Sequence, residues 1–131
     1  YLGQRLYSLC DTAALGRELR ERLERAEEAI YAAEDDPLVN WRPPILADAL
    51  TQLGIAVHVE ERVLESERLI TPQQVQRWFS IEQGAKPSYG QHLAALLSPD
   101  EVARVQTLYR RELAGKTVRW AWHAVFIWGQ R

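Results

Sequence analysis

One cysteine, Cys10, stands in 131 residues. It can close no internal disulfide and has no second thiol with which to hold a metal, so a reducing, cytoplasmic setting is expected. The seven glycines are scattered, and no two form a Gly-x-Gly. A backbone loop able to cradle a phosphate or a dinucleotide is therefore missing, as is a Walker-type loop. No apolar run approaches the roughly 18 residues of a membrane span, and the first residues do not have a signal-peptide layout. A basic excess is absent as well: 16 Lys and Arg face 18 Asp and Glu, for a net charge of −2. That balance argues against a dedicated nucleic-acid surface. Methionine is absent altogether and the chain opens on Tyr1, which reads as a fragment of a longer polypeptide, though a processed start would look the same.

The chemistry-bearing side chains are as sparse as the glycines. His58, His92 and His123 lie far apart, none beside a Cys or at helical ligand spacing from a carboxylate, so no metal ligands are assigned. No serine occupies a Gly-x-Ser-x-Gly elbow, and Ser88 and Ser98 are better explained as helix caps. Neither a catalytic nor a cofactor-binding residue can be named from composition and spacing.

What the chain does have is foldable: 47% hydrophobic and 26% charged residues, enough for a single domain over 1–131 that buries about two-thirds of its unfolded surface. Leu15, Leu19, Leu23, Ala26 and Ile30 mark one stripe of a helix over 12–33, whose charged flank offers Arg17–Glu21, Glu18–Arg22 and Glu21–Arg25 pairs four apart. After Asp35-Asp36-Pro37 and a connector at 38–41, Pro43-Pro44 opens a second helix. Ile45, Leu46, Ala49, Leu50 and Leu53 form its stripe, and Gly54 suits a left-handed cap. An alternating strand follows over about 55–70. Thr71, Ser88 and Ser98 each precede a Gln or Glu by three residues, the signature of a capping box, and so predict three more helices.

Residues 117–128 form the last element. Val118, Trp120, Trp122, Ala124, Phe126 and Trp128 share one face at period two, and Ala121, Val125 and Ile127 line the other. Apolarity on both faces belongs to a strand inside a covered sheet. The expected fold is α+β: two long antiparallel strands, about 55–70 and 117–128, joined by a helical segment and packed by the helices at 12–33, 44–53 and 98–113. Because two strands seldom make a stable sheet alone, the rest of the parent chain or a second copy is expected to pair with 117–128. Trp41, Trp78, Tyr89 and His92 lie near loops and helix starts and are the residues around which a pocket is expected.

The order from Pro44 onward resembles the C-terminal part of a class I S-adenosylmethionine-dependent methyltransferase: a helix, a strand opened at Leu53-Gly54-Ile55, a helical cover over 71–115 and a final antiparallel strand. Further motifs are Gly3-Gln4-Arg5-Leu6, Ala26-Glu27-Glu28-Ala29-Ile30-Tyr31, Asp36-Pro37-Leu38-Val39-Asn40-Trp41, Ile70-Thr71-Pro72, Arg77-Trp78-Phe79 and Leu97-Ser98-Pro99. Together they resemble a methyltransferase-like region at the C-terminus of a cyanobacterial fusion protein. The N-terminal part of that protein is an AAA ATPase of the replication-associated recombination family. The resemblance implies a non-catalytic piece supplying substrate-side cover and sheet edge, with S-adenosylmethionine and ATP bound elsewhere in the parent. The family's acidic-x-Gly-x-Gly cofactor loop is not in this sequence, so no cofactor residue carries over and the donor site is expected before Tyr1. The alternative reading is a protein-interaction or oligomerisation module without a methyltransferase role.

Overall fold

The computed structural model of the chain describes residues 3–33, 35–36, 41–81, 84 and 86–130; Pro37 and positions 38–40 of the expected connector lie outside them. Short 3-10 turns at Leu6–Leu9 and Ala13–Leu15 precede helix α1 (Arg17–Tyr31) and helix α2 (Pro43–Gln52). Strand β1 (Ala56–Leu69), helices α3 (Pro72–Trp78), α4 (Tyr89–Leu93) and α5 (Pro99–Glu112), and strand β2 (Thr117–Gln130) complete the order. The fold mixes helix and strand as expected, and β1 and β2 form a two-stranded antiparallel sheet.

The described residues fall into two compact units. One, the helical unit, comprises Arg5–Ile30 and Glu67–Trp120. Its core is built on the stripe of α1, where Leu19, Leu23 and Ala26 are buried, together with Val75, Leu93, Val105, Tyr109 and Leu113. The first helix begins at Arg17, not at residue 12. Gly16 takes φ +81°, a left-handed conformation that interrupts the helix, and the Asp11 carboxylate accepts the Ala13 N–H at 2.9 Å to hold a separate turn before it. Of the expected ion pairs along α1, Arg17–Glu21 forms at 3.0 Å. Arg22 reaches across to Glu101 instead, a two-pronged pair with one prong at 2.7 Å that ties α1 to the start of α5. All three capping boxes form, with Thr71, Ser88 and Ser98 each accepting the N–H three residues on and receiving the reciprocal bond. In this unit the sheet closes at its base, where the Ile70 N–H donates to the Lys116 carbonyl at 2.9 Å and the Gly115 N–H donates to the Ile70 carbonyl at 2.7 Å.

The other, the ribbon unit, comprises Tyr1–Gln4, Tyr31–Ser66 and Ala121–Arg131. Helix α2 lies at its predicted place, with Pro43 at the start and Gly54 at φ +78° just past the end, where a Cβ would be strained. Its apolar stripe is not core. Ile45 is 58% and Leu53 72% exposed, and Pro43 is the buried residue of the helix. Ten residues give α2 fewer than three turns at 3.6 residues each, and the face that the 3.6-residue period predicted to be covered is open to solvent.

Candidate functional site

The sheet within the ribbon unit presents aromatic side chains at its surface. On one face His58 stacks on Trp128 with ring centroids 5.7 Å apart, and the Arg62 guanidinium lies 5.3 Å from the centre of the Phe126 ring. These cross-strand partners cover the aromatic rings only in part. Trp122 is 36%, Phe126 44% and Trp128 51% exposed. On the opposite face Val59 and Val63 are exposed, while Ala121, Val125 and Ile127 are half-buried. The sequence predicts burial on both faces of 117–128, yet over this unit neither face is fully covered.

The two strands of the sheet differ chemically along their lengths. Strand β1 carries Glu60, Glu61, Arg62, Glu65, Glu67 and Arg68, six charges in fourteen residues. Strand β2 carries one, Arg119, and from Trp120 to Gln130 it holds no Asp, Glu, Lys, Arg or Pro. Proteins discourage unwanted strand addition by placing charge or proline on exposed edges. By that measure the β1 edge is guarded and the β2 edge is not. Part of the β2 edge is already in use: the Ala121 N–H donates to the Gln4 side-chain oxygen at 2.9 Å, a bond made by the first residues of the chain. An antiparallel strand turns alternate N–H groups to its two sides. Val125, Ile127 and Gly129 therefore share the outward side with Ala121.

Close approach of the two strands explains Gly129. A Cβ there would sit 2.5 Å from Ile55 Cγ2 and 2.8 Å from the Ala56 carbonyl oxygen, distances no real side chain tolerates.

In the helical unit the notable polar feature is Glu27, only 1% exposed among the core residues. Its carboxylate accepts the Leu6 N–H at 2.5 Å, the Tyr7 N–H at 3.2 Å and the Tyr89 hydroxyl at 2.8 Å. Tyr89 and Tyr109 join hydroxyls at 2.9 Å, extending the chain of bonds into the core. Burial pushes Glu27 above the usual carboxylate range despite the opposing pull of these donors, and it holds Tyr89 and Tyr109 well above ordinary phenols. Beside them, burial and then the Glu28 hydrogen bond lift Tyr7 to about 12. Burial, followed by the nearby Glu112, Asp11 and Glu27 charges, lifts Cys10 to about 11. At neutral pH this thiol and these phenols keep their protons, so the cluster fastens the Leu6–Leu9 turn and contains no activated nucleophile. The sequence reading did not single out Glu27 in this role. Its signal was available: Glu27 falls four residues after Leu23, inside the apolar stripe.

The four residues around which a pocket was expected are divided between the units. Trp78, Tyr89 and His92 belong to the helical unit, and Trp41 to the ribbon unit. Trp78 and Tyr89 pack against the same core, and His92 is half-buried on α4. Two open grooves described in the helical unit are lined by other residues. One of about 300 Å³ runs beside α5 and is lined by Ala14, Leu15, Arg104, Thr107, Leu108 and Arg111 among others. Another, of about 320 Å³, adjoins it near Arg17, Arg22 and Glu101. Arg104 is already engaged, donating to the Leu15 carbonyl at 3.2 Å. Among the described residues no group of three or more His, Cys, Asp or Glu is placed to hold a metal ion, and no helix is long and apolar enough to cross a membrane. Comparison with known protein families, with curated proteins and with solved structures finds no match to this chain.

Proposed function

We propose that this chain is a non-catalytic interaction module that works by completing a β-sheet: the open side of β2 receives a further strand. The observation that carries this reading is the contrast between the two edges, six charges on β1 against one on β2. Added strands gain affinity from main-chain hydrogen bonds and specificity from alternate side chains. The outward Val125, Ile127 and Gly129 supply the first, and the exposed Phe126 and Trp128 supply the second.

Residue-resolved hydrogen exchange tests it. The outward amides of Val125, Ile127 and Gly129 are expected to exchange far more slowly than those of Val59 and Val63 on the guarded edge. Equally fast exchange on both edges, at every protein concentration and in the parent protein, removes the proposal.

A second reading places the module inside a methyltransferase-like domain attached to an AAA ATPase of DNA replication and recombination. What favours it is the antiparallel pairing of β1 and β2 with helices α3 to α5 between them in sequence, the arrangement the resemblance implies. In that setting the next strand comes from the parent chain, and S-adenosylmethionine and ATP are bound outside these residues. An acidic-x-Gly-x-Gly loop encoded within about 150 residues before Tyr1, a domain length, supports it, whereas calorimetric binding of S-adenosylmethionine to these 131 residues alone contradicts it.

A further inference from the structure

We infer that the strand received by β2 is the β2 of a second copy of this chain, paired antiparallel about a twofold axis through Ile127. The inference rests on the sheet-completion reading and names its occupant.

A twofold interface sets each residue against the same surface of its partner, so the strand must be able to face itself. Strand β1 fails that condition. Centred on Val63, self-pairing would set Glu61 opposite Glu65 in both halves, like charges across a ladder. Strand β2 meets it, because its second half carries no charge to repel its own image.

The register follows from what is already occupied. The Gln4 side chain holds the edge at Ala121, so an incoming strand has its clearest run at Val125, Ile127 and Gly129. With the axis at Ile127, Val125 lies opposite the second copy's Gly129, and a branched side chain meets the residue that has none. On the other face Phe126 lies opposite the second copy's Trp128. These are two of the aromatics that the chain alone leaves most open, at 44% and 51% exposure, and cross-strand aromatic pairs are among those that stabilise antiparallel sheets. The result is a four-stranded sheet in the order β1, β2, second-copy β2, second-copy β1. Three or more strands with an apolar face are what independent sheet stability requires.

Sedimentation equilibrium on the whole chain, at about 100 µM so that even a micromolar interface is saturated, is expected to give twice the monomer mass. I127P removes an outward N–H at an edge, where proline is tolerated, and should halve the mass with the far-ultraviolet circular dichroism retained. I127K and I127E should each be monomeric, since each sets a like charge against itself, and an equimolar mixture should restore the doubled mass as a heterodimer. The mixture also shows that both variants are folded. A wild-type chain that stays monomeric, or variants that stay dimeric, overturns the inference. If the wild type is monomeric but Val125, Ile127 and Gly129 amides are protected, strand addition survives and the occupant is another segment of this chain. If those amides are unprotected both in this chain and in the parent protein, both readings fall.

Discussion

Glu27 shows how one residue can set the placement of a segment. Its two oxygens receive two backbone N–H groups and a phenol, and without it the Leu6 N–H would be buried without a partner. E27A removes both accepting oxygens and leaves the Leu6 N–H without its partner. It is expected to cost about 1–3 kcal/mol, the penalty for a buried unsatisfied polar group, read from the urea midpoint. The pH dependence has a definite sign. Burial raises the folded-state value above the ordinary 4.5, so the folded state binds the proton more tightly than the unfolded chain. The associated stability is complete below pH 4.5 and is lost as pH rises through the raised folded value. Wild-type stability should therefore fall with rising pH above 4.5, in a step that E27A lacks. At this scale the sequence was legible where chemistry is local. Thr71, Ser88, Ser98 and Gly54 announce their conformations through neighbours three residues away or through their own backbone. Glu27 did not, because its partners Leu6, Tyr7 and Tyr89 lie about 20 to 62 residues off.

For the elements, the positions of helices and strands followed the hydrophobic period closely, and their burial did not. Strand β2 has the two-faced apolarity of an interior strand and α2 the stripe of a packed helix, yet Trp128, Ile45 and Leu53 are more than half exposed. Periodicity reports what a surface is suited to meet, and whether anything meets it depends on partners that a single chain's pattern does not encode. The start of α1 was misplaced for a plainer reason: Leu15 continues the stripe, but Gly16 at φ +81° breaks the helix between Leu15 and Leu19. The strand pair offers a sharp test of its own. G129A would drive a methyl group into Ile55 and the Ala56 carbonyl. Separation of the strands there should speed amide exchange near Ala56 and His58 by roughly tenfold, about 1.4 kcal/mol. Exchange in α1 and α5, which belong to the helical unit, should be unaltered.

Across the whole molecule, stability is unevenly divided. Among the described residues, the thirteen buried core hydrophobics all lie in the helical unit. The ribbon unit contributes none of them. Local opening is cheapest where few apolar contacts must be broken. Native-state exchange should accordingly show its deepest protection in α1 and α5 and early exchange throughout α2; uniform protection over both units would refute this division. The hydrophobic pattern pointed correctly to a mixed α and β chain, but a count of apolar residues cannot say how they are shared between two units.

The crowding of glutamates and arginines along β1 has a bearing on assembly size. A sheet that could accept neighbours on both sides would extend without limit, as fibrils do. On the pairing proposed above, growth has one permissive side, so adding a single neighbour would consume it and leave acidic and basic side chains at both outer borders. Such an assembly terminates itself: it can reach a finite complex and go no further, however much protein is present.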